Sequence, residues 1–293
     1  MPSHELARVE VDGLEVLGYS VAGEETVVAM PQLDVCFDVG KAPDQIISIN
    51  HVLLTHGHMD HAAGLAYYLS HRTFSGQTPG TILAPANLIA PIEQILDGWG
   101  RLDGGRVQAN LVGVRAGDEY AVKPNLVARV FPTKHCVGSV GYAIIERRKK
   151  LKPEYVGLAG PQIVELKKRG VTIDNPVEMP IVSYLGDTKY VDYSQLEYVA
   201  RSRILIAECT FFVDEHTDRA DAGRHMHIDE FRRLIERLDN AHVVVTHLTQ
   251  RTGMAEIRKI MLEKLGPELS AKIVLLMDRP RRKRPPQPRQ QGG

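Results

Sequence analysis

The chain has 293 residues, with 36 Lys and Arg balanced by 36 Asp and Glu and 43% hydrophobic residues. A chain of this size and composition can bury a sizeable core as one large or two small domains, which excludes disorder over most of its length. Apolar runs such as 204–207 and 273–277 fall far short of the roughly 18 residues a membrane span needs, and zero net charge argues against indiscriminate coating of nucleic acid. Residues 1–10 lack a basic stretch followed by an apolar one, so no signal peptide is read there and the cytoplasm is the expected location. Cys36, Cys136 and Cys209 are widely separated and form no C-x-x-C pair, which points to neither a disulfide framework nor a zinc ribbon.

Taken in chain order, β-branched runs alternate with helical patterns and predict a mixed α/β fold. Strands are predicted at 27–30, 33–37 and 52–55, the last leading directly toward a helix that contains 65–69. Later strands fall at 81–84, 126–131, 140–145, 181–185, 204–207, 242–246 and 273–277. Ile228, Phe231, Leu234, Ile235 and Leu238 recur at helical spacing, as do Met254, Ile257, Ile260, Met261 and Leu265, and each set predicts a helix packed by one face on a sheet. The tail 279–293 holds four prolines, two terminal glycines, six positive charges and no apolar residue, and is expected to be disordered.

The densest chemistry lies in Thr55-His56-Gly57-His58-Met59-Asp60-His61, which gathers three imidazoles and a carboxylate at the end of an apolar strand. Residues i and i+2 of a strand face one side, so His56 and His58 can share one metal ion. A turn into a helix there presents Asp60 and His61 toward a second, and Gly57 is expected to allow close backbone approach. A catalytic zinc site needs about three protein ligands per ion and an open position for water, so four ligands cannot serve two ions. Further ligands are expected at later strand ends, where His135, Asp187 and His247 each follow an apolar run; taken alone, each also suits a surface or capping role. His4, His51, His71, His216 and His242 have no such context and are expected in solvent.

These residues, in this order, resemble the metallo-β-lactamase superfamily, whose motif H-x-H-x-D-H is followed by a distant His, Asp and His. The stretches Gly186-Asp187-Thr188, Ala207-Glu208-Cys209-Thr210-Phe211, Arg224-His225-Met226-His227 and Thr246-His247-Leu248-Thr249-Gln250-Arg251 narrow the resemblance to the tRNase Z family, in its short plant-type form. Segments 139–142, 150–160 and 166–173 also resemble that form, so the similarity spans most of residues 5–265. It implies a four-layer αββα sandwich over residues 1–278 with metals at one edge of the sheets. It further implies two zinc ions per subunit, the ligands suiting manganese as well. His56, His58 and His135 would hold one ion, Asp60, His61 and His247 the other, and Asp187 would bridge them.

The resemblance also makes Glu208 and His225 an extra acid–histidine pair, with His227 a competitor for the histidine and a Glu208–Arg251 pair the plain structural alternative. The implied activity is removal of 3′ trailers from tRNA precursors by two-metal phosphodiester hydrolysis, with Asp60 acting on the attacking water and His225, oriented by Glu208, as general acid. The alternatives are another binuclear-zinc hydrolase, such as a small-molecule phosphodiesterase or lactonase-like enzyme, and a non-catalytic RNA-binding relative. The closing motif departs from the family, which usually shows Phe, Ser and a final Tyr around its histidine and arginine.

Residues 146–170 carry Arg147, Arg148, Lys149, Lys150, Lys152, Lys167, Lys168 and Arg169 against three glutamates, a net +5. By resemblance, 146–174 is a short inserted arm that grips tRNA, with Arg251 a further RNA contact, and the protein is a homodimer in which one subunit's arm serves the other's site. Removing the +5 of this segment and the +6 of the tail from a neutral chain leaves −11 elsewhere. Such a body suits a site that holds cations.

Overall fold

A computed structural model describes residues 5–278, so His4 and the tail 279–293 lie outside the described residues. Fourteen strands among those residues form two seven-stranded sheets. The first runs in chain order through β1 (Ala7–Val11), β2 (Leu14–Val21), β3 (Glu25–Met30), β4 (Val35–Phe37), β5 (His51–Leu53), β6 (Thr81–Pro85) and β7 (Asn110–Val114). It is antiparallel as far as β4 and parallel beyond. The second repeats that plan with β8 (Glu119–Lys123), β9 (Leu126–Pro132), β10 (Val140–Leu151), β11 (Asp174–Tyr184), β12 (Ile204–Glu208), β13 (His242–Thr246) and β14 (Ile273–Leu275). It is antiparallel as far as β11 and parallel thereafter.

Side-chain alternation along buried strands builds the layers. In β3, Val28 and Met30 enter the core between the sheets while Val27 and Ala29 pack outward. In β12, Ile204 and Ile206 face the same inner core while Leu205 and Ala207 face the opposite way. Helices α1 (Met59–Ala62), α2 (Leu65–Phe74) and α3 (Ile89–Asp103) belong to the first half, and Leu65, Leu69, Ile92 and Leu96 cover its outer face. Helix α4 (Gly160–Lys168) lies between β10 and β11. In the second half α5 (Glu197–Ala200), α6 (Thr217–Gly223), α7 (Ile228–Glu236) and α8 (Met254–Ser270) follow, with Val199, Phe231, Leu234, Ile257 and Met261 covering the other outer face. Three cores between four layers make the αββα sandwich that the resemblance implied.

Several predicted elements differ in detail. The run 33–37 splits into a 3-10 turn, Pro31–Leu33, a left-handed Asp34 and the short β4. Strands β10 and β11 continue past the apolar cores that signalled them, pairing Glu146 with Met179 through Leu151 with Asp174 as a solvent-exposed hairpin. Polar composition hides such an extension from a hydrophobic pattern. Helix α8 breaks at Gly266 because Pro267 has no N–H for the helical ladder and crowds the preceding turn. His51, His71, His216 and His242, expected in solvent, are half-buried.

Leu53 is fully buried in the inter-sheet core, so Leu53→Ala removes packing that the surrounding strands cannot refill. It should cost about 2–5 kcal/mol in urea unfolding, whereas Phe74→Ala, at a side chain 90% exposed, should stay within about 0.5 kcal/mol of wild type. Equal effects at the two positions would contradict the layer assignment.

Candidate metal centre

Strand ends deliver the chemistry. Asp38 follows β4, His56 follows β5, His135 follows β9, Asp187 follows β11, Glu208 ends β12 and His247 follows β13. Strand β5 stops at Leu53, so His56 and His58 lie in the loop after it rather than on the strand. They still face one another, with ring centroids 4.5 Å apart. His58 is the N-cap of α1, whose four residues include Asp60 and His61, as the predicted turn into a helix requires. The close approach expected at Gly57 is absent, since a Cβ there would meet only Leu88 methyls at 3.4 Å. Gly186 is where it occurs: its φ is +61°, and a Cβ would lie 2.8–3.0 Å from three side-chain atoms of Thr55.

All seven expected ligands converge. His56, His58, His135 and Asp187 place ligand atoms within 4.8 Å of one another, and so do Asp60, His61 and His247. His135 Nε2 and His58 Nδ1 are 3.1 Å apart, close to the roughly 3.3 Å between two nitrogens on one tetrahedral zinc. Asp187 Oδ2 lies 3.8 Å from both His56 Nε2 and His135 Nε2, 3.2 Å from His61 Nε2 and 3.3 Å from His247 Nε2. It therefore sits between the two groups. Asp60 Oδ2 is 3.7 Å from the Nε2 atoms of His61 and His247, and it accepts a hydrogen bond from Gly23 N at 3.1 Å.

The Nε2 atoms of His56, His61 and His247 are buried without a hydrogen-bond partner. Three orphaned imidazole nitrogens around a shared carboxylate fit a cation, because neutral imidazole offers a metal the lone pair it has not protonated. The electrostatics agree. Burial works against ionising Asp187, yet His247 and His61 hold its carboxyl well below the usual range. Burial likewise opposes ionisation of Asp60, and the imidazoles of His247 and His61 beside it outweigh it and lower the pKa. Burial lowers His56 and His135. It also acts to lower His61, but the carboxylates of Asp187 and Asp38 prevail and raise it. The centre thus draws positive charge to its middle.

Residues that the motifs did not reveal orient this set. Asp38 is fully buried and accepts from Thr55 N at 2.8 Å, from Thr55 Oγ1 at 2.9 Å, from His61 Nδ1 at 2.8 Å and from Tyr184 Oη at 2.9 Å. The signal available for it was a lone carboxylate directly after an apolar strand. Arg224, left-handed at φ +55°, accepts from His135 Nδ1 through its carbonyl at 3.2 Å and donates from Nη1 to the His135 carbonyl at 2.8 Å. Ser20 Oγ accepts the backbone N–H of His247, whose own φ is +55°, at 2.8 Å.

Glu208 is fully buried and accepts from Thr188 N at 2.7 Å, Thr210 Oγ1 at 2.6 Å, Met226 N at 3.1 Å and His225 Nδ1 at 3.0 Å. The pairing with Arg251 is not formed, as Arg251 is exposed. His225 stacks on His247 with ring centroids 4.9 Å apart. Burial acts to lower its pKa, but Glu208 outweighs this and pushes it up to about 9. His227 is excluded from the pair. It caps α7, its Nδ1 taking the Asp229 N–H at 3.4 Å, and the nearby carboxylates of Asp214 and Asp229 already share the ammonium of Lys264 at 3.7 and 3.1 Å.

The basic arm divides into two groups. Arg147 is bound to Glu119 and Glu178, alongside Arg129, and Arg148 to Glu146, so these two are engaged with their own chain. Among the described residues, Lys149, Lys150, Lys152, Lys167, Lys168 and Arg169 have no carboxylate within ion-pair distance, and α4 buries none of its residues.

Residues 26–248 match a family model described as a β-lactamase superfamily domain. The tRNase Z TRZ1 of Arabidopsis thaliana is 31% identical over 272 residues, covering 92% of this chain and 96% of that protein. The chloroplastic tRNase Z TRZ2 of the same plant is 32% identical over 273 residues, covering 92% of this chain and 77% of that one. In fold, the metallo-β-lactamase fold protein YhfI from Bacillus subtilis is similar at a TM-score of 0.60 and 14% identity, over 92% of this chain and 94% of that one. With a superfamily domain across most of its length and such identity to these two proteins over most of theirs, the chain belongs to the tRNase Z family of the β-lactamase superfamily.

Proposed function

We propose that the protein is a metal-dependent endoribonuclease that removes 3′ trailers from tRNA precursors, as the names of its plant relatives imply for them. The observation that carries this reading is the Glu208–His225 pair, closed by a 3.0 Å hydrogen bond beside the ligand cluster. A hydrolase acting on activated small esters has less need of a second, independently charged acid. The ligand atoms and their orphaned nitrogens support two divalent ions, which we take as zinc, held by His56, His58 and His135 and by Asp60, His61 and His247, with Asp187 between them. When bound, such a pair supplies Lewis acidity and lowers the pKa of water toward neutrality.

The chain's own groups do the rest. Asp60, held ionised and aimed by Gly23 N, can orient the attacking water and take its proton. His225 is bonded to Glu208 through Nδ1, which leaves Nε2 free to give a proton to the departing ribose 3′-oxygen as the P–O bond breaks. Residues 1–278 act in this reading as one hydrolase domain with 146–174 as its tRNA-gripping arm. A cytoplasmic homodimer completes it; no helix among the described residues is long and apolar enough to cross a membrane.

The direct test incubates the purified protein with a tRNA precursor bearing a 3′ trailer and, separately, with a small phosphodiester. Cleavage after the discriminator base is expected, and hydrolysis of only the small ester would transfer the protein to another class of binuclear hydrolase. His225→Ala should keep its metal content and lose about 10²–10⁴-fold in turnover; unchanged turnover at full metal content would remove His225 from the mechanism. As the donor must be protonated, the rate should fall as pH rises through the His225 pKa. In Glu208→Gln, which loses the charge that raises that pKa, the alkaline limb should move to lower pH at saturating metal. Replacing Lys149, Lys150 and Lys152 together by Ala should weaken precursor binding and flatten the dependence of log Kd on log salt by about 2–3, leaving small-ester hydrolysis unchanged. An unaltered salt slope would dissociate the arm from RNA binding.

A further inference from the structure

Thr210 lies between two groups that the mechanism treats separately. Its Oγ1 is 2.6 Å from Glu208 Oε2 and 3.0 Å from His247 Nδ1, and it is 1% exposed. A threonine hydroxyl has one proton, and a carboxylate can only accept. The hydroxyl therefore donates to Glu208 and must accept from His247, which puts the imidazole proton on Nδ1. The lone pair is then left on Nε2, the orphaned atom 3.3 Å from Asp187 Oδ2 and 3.7 Å from Asp60 Oδ2.

The same arrangement recurs in the first half of the molecule. Thr55 Oγ1 donates to Asp38 at 2.9 Å and so accepts from His56 Nδ1, also at 2.9 Å, freeing His56 Nε2. By contrast, His135 has its Nδ1 on the Arg224 carbonyl, and His61 has its Nδ1 directly on Asp38. A hydroxyl between carboxylate and imidazole is thus one of three devices used here to orient the ligands.

We propose that Thr210 is a positioning residue that ties the Glu208–His225 pair to the ligand His247, so that one carboxylate orients both the proton donor and one metal ion's binding nitrogen. The proposal rests on the reading of His247 as a ligand. Without the hydroxyl, His247 Nδ1 faces a buried position with no acceptor. The tautomer protonated on Nε2 then becomes competitive, and a metal must displace that proton. Hydrogen bonds of this kind also raise the basicity of the coordinating nitrogen, and their loss weakens metal binding about 10–100-fold.

The test uses Zn²⁺ alone, titrated against the metal-free full chain in competition with a chromophoric chelator, and needs no RNA. Thr210→Val should bind one of two ions about 10–100-fold more weakly and leave the other unchanged, while Thr210→Ser should stay within about threefold of wild type. Thr210→Ala, which introduces no new atom, carries the same expectation as the valine variant should that variant fail to fold. Glu208→Gln should weaken the same ion, and combining it with Thr210→Val should add little further loss, since both changes break one connection. Nitrogen NMR of the metal-free protein should find His247 protonated at Nδ1 in wild type and Thr210→Ser, and a tautomer mixture in Thr210→Val. Full affinity for both ions in the valine and alanine variants, or additive losses in the double variant, would overturn the proposal. A protein that binds zinc as described yet leaves tRNA precursors uncut would instead remove the proposed function and leave this connection standing.

Discussion

The arrangement at the centre depends on the imidazole nitrogens that face away from it. A neutral imidazole has one proton to place, and a metal needs the other nitrogen bare. Here His56 Nδ1 meets Thr55, His61 Nδ1 meets Asp38, His135 Nδ1 meets the Arg224 carbonyl and His247 Nδ1 meets Thr210, at 2.8–3.2 Å. Two fully buried carboxylates, Asp38 and Glu208, stand behind three of these contacts. An isolated buried charge is costly, so each is surrounded by donors: a backbone N–H and a threonine hydroxyl for both, Tyr184 in addition for Asp38, and His225 for Glu208.

That requirement accounts for the architecture. Parallel strands end on the same side, so β4, β5 and β6 in one sheet and β11, β12 and β13 in the other can direct their following loops to one edge. The two sheets meet there through direct bonds as well as through packing. Val140 N donates to Thr55 O at 3.1 Å, Tyr142 Oη to Leu54 O at 2.8 Å and Tyr184 Oη to Asp38 at 2.9 Å. Ala22 N donates to Leu248 O at 3.1 Å, beside the Ser20 contact that holds His247 in its left-handed conformation. Neither half owns a complete site, and the sandwich must close before any ligand set exists. The unpaired Lys149 and Lys150 are carried outward, away from this edge, on the β10–β11 hairpin.

The candidate ligands are legible because metal chemistry demands unusual residue types at short spacing. His56, His58, Asp60 and His61 declare themselves within six positions, and a strand-end location is enough to suggest His135, Asp187 and His247. The alternation in 27–30 and 204–207 was equally plain, since strands buried on both faces leave continuous apolar runs. Strands β1, β2, β7 and β8 were not distinguished, because each has polar or half-buried positions that blur the period. Arg147 and Arg148 looked like free cations in a run of like charge. Arg148 pairs with Glu146 two residues before it, whereas the partners of Arg147, Glu119 and Glu178, come from other strands of the sheet and no local pattern announces them.

By itself the sequence determined a mixed α/β fold through local periodicity and seven candidate ligands through residue chemistry, while motif order carried the family resemblance and the four layers it implied. Tertiary structure alone decided how those ligands are oriented. Asp38 and Thr210 are single ordinary residues whose importance arises from contacts 17 to 146 positions away in the chain. It likewise decided between His225 and His227, two residues apart and indistinguishable by composition. One reaches the buried Glu208, and the other is consumed in capping a helix. Hydrogen-bond direction is a property of three atoms in space, and spacing along a chain does not encode it.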